Sequence, residues 1–181
     1  MKRKIFIGLA VVVLLLVGFA LYVVLVVNKR SPPDTASISY NGLDVKVVYC
    51  RPYKKGRLIF GEEKDGALQP YGKYWRLGAN SSTEITFNKN INFGGKPVNA
   101  GTYKMYAVPG PNIWDVSLNS ELGKWGFSEP DYGLDVLKVD VAADTAPETE
   151  QFIITFSSDS TAVLMDFTWD KTRVRVPLTV Q

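Results

Sequence analysis

Four cationic side chains, Arg51, Lys54, Lys55 and Arg57, fall within seven positions of the stretch YCRPYKKGRLIFG, residues 49–61. Arginine presents a planar fork of donors and lysine a compact charge, and both suit carboxylate or phosphate. Pro52 and Gly56 place the four around one loop. The same pattern describes a solvated strand connection, and Glu62, Glu63 and Asp65 follow to neutralise part of the charge. A second dense segment, PYGKYWRLGANSST, covers residues 70–83. It packs Tyr71, Tyr74 and Trp75 beside Arg76, and Gly78-Ala79-Asn80 interrupts what would be a strand running toward Ile85. A glycine within a strand pattern marks a bulge or a close backbone approach. One reading is an aromatic cluster with Arg76 stacked on a ring; the other is the lining of a polar-ligand site. If there is a site, Arg51, Lys55, Arg57, Arg76 and Asn80 supply its polar contacts, with Tyr71 and Trp75 as apolar walls. That requires the second segment to fold against the first loop. The ligand expected there is an anion or a carbohydrate.

Other chemistry is bounded by what the chain lacks. It has no histidine and one cysteine, Cys50. The Ser-His and Cys-His pairs are thereby excluded, as are zinc and copper centres of ordinary composition. No cofactor or metal is expected. Asp131, Asp135 and Asp140 could offer oxygens to calcium, but their spacing fits no established loop. A competing reading is a histidine-free hydrolase acting on cell-wall glycan or peptide. It would use Glu84 and Asp166 as paired carboxylates, or Ser81 or Ser82 with Lys55. Of the tryptophans, Trp114 and Trp169 lie on inward-facing rows, whereas Trp125, between Gly123 and Gly126, is the better candidate for exposure.

The elements that must position these residues are strands. Leu43, Val45, Val47 and Tyr49 alternate with polar positions, as do Ile85 and Phe87, then Trp114, Val116 and Leu118. Further rows run through Leu137–Val141, Phe152–Phe156, Val163–Trp169 and Val174–Leu178. Turn signals separate them at Asn41-Gly42, Gly94-Gly95, Ala100-Gly101, Pro109-Gly110 and Asp159-Ser160. This spacing predicts an all-β domain over residues 36–181, a single antiparallel β-sandwich of jelly-roll or immunoglobulin-like type with about nine strands in two sheets.

Ahead of it, residues 5–27 carry no charge and reach about 34 Å as a helix, enough to cross a bilayer core. Residues 1–30 are therefore expected to be an uncleaved membrane anchor with basic flanks, and SPPDT, residues 31–35, a stiff spacer. Lys2, Arg3 and Lys4 with the amino terminus outweigh Lys29 and Arg30, which favours a cytoplasmic N-terminus and a periplasmic domain. From Ser31 onward, sixteen basic residues face eighteen acidic ones, a net charge of −2. The basic overall balance thus belongs to the membrane flanks, and nucleic acid is not an expected partner. The partners expected are the bilayer, through residues 5–27, and an anionic or carbohydrate ligand or an envelope protein.

The order of short motifs resembles one family. Y-x-R-P-x-x-K-G-R-x-I-F-G spans Tyr49–Gly61, and P-Y-G-x-x-W-R-x-G-A-N spans Pro70–Asn80. I-T-F at Ile85–Phe87 follows, then A-G-T-Y at Ala100–Tyr103, Pro109-Gly110, Trp114 and Trp125-Gly126. D-V-L at Asp135–Leu137 and W-x-x-T-x-V at Trp169–Val174 complete the set. The chain is identified on these residues as resembling the bacterial domain of unknown function 2911 family. The resemblance implies a β-rich exported or envelope protein and brings no activity with it. Ser81 stands where glutamate is expected in that family, and Glu62–Gln69 is longer than expected. Both differences border the two dense segments.

Overall fold

Two prolines, Pro32 and Pro33, cannot continue a helix, and the chain changes from helix to strand there. The computed structural model describes residues 2–22, 25 and 30–181. Helix α1 covers Lys2–Tyr22. The side chains of Ile7–Tyr22 are exposed on every face of it. Among the described residues no helix is long and apolar enough to cross a membrane. The expected span, residues 5–27, includes positions 23, 24, 26 and 27, which lie outside the described residues.

The strands are β1 (Pro33–Tyr40), β2 (Leu43–Cys50), β3 (Phe60–Gly61), β4 (Gln69–Pro70), β5 (Thr83–Phe87) and β6 (Ile91–Phe93). They continue as β7 (Lys96–Val98), β8 (Gly101–Val108), β9 (Ile113–Asn119), β10 (Asp135–Ser158) and β11 (Val163–Val180). Nine form one antiparallel sheet in the order β1-β2-β5-β8-β9-β10-β11-β6-β7, and β3 and β4 form a small parallel pair. The protein is thus mostly β, built on one large antiparallel sheet. β1 starts inside the expected spacer, with Pro33 in the edge position where a missing N–H costs no ladder bond.

The two separate sheets expected of a sandwich are replaced by one hydrogen-bonded series. The cause is β10. The rows at Leu137–Val141 and Phe152–Phe156, expected as two strands, are one strand of 24 residues. Its first part, Asp135–Ala142, pairs with β9, and Ala143–Ser158 pairs with β11. Register breaks between Thr145 and Thr149 and between Thr149 and Ile153 let it bend from one layer to the next. The sheet therefore curls on itself. The Tyr49 hydroxyl of β2 receives the amide of Ile154 at 3.0 Å, and a bridge between Tyr53 and Gln151 fastens the chain after β2 onto β10.

Alternation decides what the curl encloses. Val45, Val47, Ile85, Met105, Val116, Val139, Phe167 and Val176 all reach one buried cluster. Its centre is aromatic: Trp75 stacks on Trp169 at 5.8 Å and meets Trp114 edge-on at 5.7 Å and Phe152 at 5.0 Å. Burying such rings removes about 150–250 Å² each from water. The outward face of β8 is covered as well, by the segment from Ser120 to Leu134, where Tyr132 packs edge-on to Tyr106 at 6.0 Å. Lys104 is trapped beneath, 0% exposed, with its ammonium 5.7 Å from the Tyr74 ring centre and no hydrogen-bond partner among the described residues. Burial pulls its pKa down, and the nearby Glu121 charge only partly opposes this.

Candidate functional site: a cationic cavity beside the helix

The basic loop divides into two pairs with different surroundings. Arg51 ends β2 and is held from three sides. Its amide bonds the Pro32 carbonyl at 2.9 Å, its Nε the Phe152 carbonyl at 3.2 Å, and its Nη1 the Asp34 carboxylate at 3.0 Å. Lys54 is likewise enclosed by acids, bonding Asp170 at 2.7 Å and also Glu148. Those hydrogen bonds, to Asp170 first and then to Glu148, push its pKa up to about 12. Arg51 and Lys54 thus clamp the strand end to β1, β10 and β11.

Lys55 and Arg57 are different. The chain turns back at Lys55 and Gly56, both at positive φ (50° and 69°), and the Arg57 amide closes the turn on the Lys54 carbonyl at 3.1 Å. The Lys55 amide is tied to the Glu150 carboxylate at 2.8 Å, which leaves its ammonium free to project. The Arg57 guanidinium is aimed by backbone carbonyls, with Nε on Lys54 at 2.9 Å and Nη2 on Tyr53. Neither side chain has a carboxylate partner among the described residues.

The second dense segment folds against this turn. Trp75 bridges to Ala107 of β8, and the chain then leaves the sheet until Thr83 begins β5. Leu77, Gly78 and Asn80 all take positive φ in this excursion. Gly78 is required, because a Cβ there would stand 2.6 Å from the Cys50 carbonyl oxygen. The tight turn brings Arg76 and Asn80 opposite Lys55 and Arg57. Between them lies a cavity of about 610 Å³, whose polar wall includes Arg30, Lys55, Arg57, Gln69, Arg76 and Asn80. Pro52, Tyr53, Leu68 and Trp169 contribute apolar surface, and Tyr22 at the end of α1 closes one side. Among the described residues no acidic side chain lines it.

Arg76 is half-buried, with Nη1 3.5 Å from the Asn80 carbonyl and its guanidinium carbon 5.7 Å from the Phe127 ring centre. Loss of water lowers its pKa from the ordinary arginine value, so the group gains from any anion that replaces that water. The loop carrying Phe127 reaches it through Gly126, where a Cβ would come within 2.7 Å of Arg76 Cδ and 2.9 Å of the Ser82 amide. A pocket with four guanidinium or ammonium groups, two carboxamides and no carboxylate has the composition of an anion receptor.

Of the seven expected site residues, Lys55, Arg57, Arg76 and Asn80 share the cavity. Arg51 is committed to Asp34, and Tyr71 is not among the lining residues. Trp75 is a core residue, 2% exposed, with its Nε1 on the Gly78 carbonyl at 3.2 Å, rather than a cavity wall. Period-two spacing did not mark it as inward because the Gly78 excursion breaks the row that would have shown its direction. Arg30 reads in the sequence as a basic flank of the apolar segment, and no local signal distinguishes Gln69.

The residues weighed for hydrolysis are elsewhere. Asp166 is held by Arg175 through two bonds of 2.7 Å, and Glu84 receives the Gly123 amide at 3.0 Å. Both alternate with buried neighbours and so point away from the core, on strands that are not adjacent, and neither lines the cavity. The Ser82 hydroxyl bonds the Lys124 carbonyl at 2.8 Å. Asp131 caps a short turn at the Gly133 amide, and Asp135 receives Tyr106 and Asn119. Among the described residues no three His, Cys, Asp or Glu side chains converge on one point.

No curated protein and no solved structure matches the chain. A family model does: the one described as "Protein of unknown function (DUF2911)" matches residues 31–178, the whole β body from the first residue after Arg30 to near the end of β11, and the chain belongs to that family.

Proposed function

We propose that the protein is a membrane-tethered module of the bacterial envelope that binds a carboxylate or phosphate in the cavity between the Lys55–Arg57 turn and the Arg76–Asn80 excursion. One observation carries this reading. The cations of the loop are sorted: Arg51 and Lys54 are neutralised by acids, whereas Lys55 and Arg57, with Arg30 and Arg76, surround a cavity that no acid enters. Arg76 is half-buried with no carboxylate partner among the described residues, so an anion that meets it replaces lost water, and the exposed Arg30, Lys55 and Arg57 are open to the same ligand. The tether is the other half of the reading. Residues 5–27 are uncharged and follow Lys2, Arg3 and Lys4, and the side chains of Ile7–Leu21 are exposed. A helix that is apolar all round needs an apolar surrounding. The basic residues at its start favour a cytoplasmic N-terminus, with the β body on the outer side of the membrane.

The test uses the full chain in a nonionic detergent. Inorganic phosphate, citrate and glycerol phosphate are titrated while thermal unfolding is followed, since a ligand of the folded state raises the midpoint in proportion to its occupancy. At least one should stabilise the wild type and fail to stabilise Arg57→Ala/Arg76→Ala. A wild type indifferent to all three overturns the reading.

A further inference from the structure

The geometry points to a source for the anion: the phosphate group of a phospholipid in the bilayer that holds α1. This rests on the tether and the anion site proposed above. The cavity lies at the foot of the β body. Tyr22, the last residue of α1, and Arg30 form part of its wall, and β1 begins at Pro33. Ser31 and Pro32 can span about 7 Å at most, which keeps the start of β1 close to Arg30. Asn80 fastens the connection down, its Nδ2 donating to the Ser31 carbonyl at 3.4 Å.

A second, independent feature marks the same face. Two loops with exposed apolar tips flank the cavity. On one side Leu58 and Leu68, joined by the Leu68 amide on the Leu58 carbonyl at 2.9 Å, are both exposed. On the other side the loop after β9 exposes Leu122, Trp125 (58%) and Phe127 (75%). This loop is not loose. The Gly126 amide bonds the Asn80 carbonyl at 2.9 Å, the Ser82 amide bonds the Lys124 carbonyl at 3.3 Å, and the Tyr74 hydroxyl bonds the Gly126 carbonyl at 3.1 Å. Apolar tips held rigidly in water gain little, whereas tryptophan and leucine beside basic groups suit the layer between headgroups and acyl chains. Arg76 joins the two features, since it lines the cavity and lies over the Phe127 ring.

The two together describe a foot that rests on the bilayer. The apolar tips enter the interfacial layer, and the cations between them close on one headgroup phosphate. An anionic phospholipid is favoured over a zwitterionic one because the lining carries only positive charge. A free phosphate would occupy the cations but leave the apolar tips in water.

The experiment has two readouts on the full chain. In nonionic detergent, dihexanoyl phosphatidylglycerol, dihexanoyl phosphatidylcholine and inorganic phosphate are compared by thermal shift. Phosphatidylglycerol should reach half-effect at a concentration roughly 10-fold below that of inorganic phosphate, because its chains add apolar burial. Arg57→Gln should raise that concentration. In phosphatidylglycerol-containing nanodiscs with brominated acyl chains, Trp125 is the one exposed tryptophan of four, so its fluorescence should be quenched and the quenching lost in Trp125→Phe. If inorganic phosphate equals phosphatidylglycerol, or Trp125 is not quenched, the lipid assignment fails while the anion site stands. If neither phosphate nor lipid binds, both fail.

Discussion

The two ends of the β body differ in what they offer to a ligand. At the end beside α1, a cavity of about 610 Å³ is ringed by Arg30, Lys55, Arg57 and Arg76. At the opposite end, where β1 turns into β2 and β10 into β11, a cleft of about 240 Å³ is lined by Tyr40, Asn41, Ser160, Thr161 and aliphatic neighbours, with no charged residue. The body as a whole is slightly acidic, so its net charge gives no hint of this polarity. The difference comes from placement. Arg175 is paired with Asp166 and Arg173 with Asp144; Lys46, Lys89, Lys96 and Lys171 have no carboxylate partner among the described residues but line neither cavity, whereas Arg30, Lys55, Arg57 and Arg76 share one concavity. A bulk count of charges therefore says less about binding than where the unpaired ones converge.

The largest effect expected is one that separates the cavity from the core behind it. Trp75→Ala should cost about 3–5 kcal/mol in denaturant unfolding, because it opens a void among Trp114, Phe152 and Trp169. If it instead weakened anion binding with stability intact, Trp75 would be a cavity wall and the boundary drawn here would be wrong. Next comes Arg57→Ala, which removes a charge-assisted contact and should weaken phosphate binding by roughly 10- to 100-fold. Lys54→Gln, next in the chain to the cavity cation Lys55 but already paired, should leave the affinity within about 2-fold, the scale of screened charge effects at a distance. Equal losses at Lys54 and Arg57, read by calorimetric titration, would dissolve the distinction between paired and unpaired cations.

Lys104 sharpens the comparison in another way, since it is a cation withheld from solvent rather than offered to it. Its pKa is lowered by burial, so the unfolded chain holds more protons than the folded one as pH approaches the ordinary value of 10.5. Stability should therefore climb as pH is raised from neutrality, and Lys104→Met should flatten that slope in urea melts. Cys50, raised by burial from the ordinary 9.0, acts in the opposite sense above that value, and Tyr74, pushed up to about 12, does so above 10.0, so the slope is read below pH 9. The smallest effect belongs to the far end. Tyr40→Phe loses one hydrogen bond to the Asp159 carbonyl, 2.8 Å, and should lower stability by about 0.5–1.5 kcal/mol without touching anion affinity. A change in affinity there would place the site at the wrong end.

How far the sequence foretold this depends on whether a property is local. Inward rows such as Leu43-Val45-Val47-Tyr49 and Ile85-Phe87 were legible because strand alternation is set by each strand's own residues. The unity of β10 was not. Residues 143–151 are mostly exposed where the strand passes between layers, so alternation fades there and the row reads as two. The site was half legible. Lys55, Arg57, Arg76 and Asn80 stand out by density, but the fate of Arg51 and Lys54 depends on Asp34, Glu148 and Asp170, distant in sequence. Pairing across such separations is a product of topology, and one sequence does not display it. Lys104, likewise, reads as a surface position of β8 until the Ser120–Leu134 segment closes over it.

A 24-residue strand held in common by both layers leaves nowhere to divide the body. Severing the chain near Ala142 would leave each half of the strand with its own partner, β9 or β11, but would part β11 from β6 and divide the one buried cluster between two fragments. Neither fragment should survive as a folded piece, and amide protons in β2 and β11 should exchange through one shared opening event.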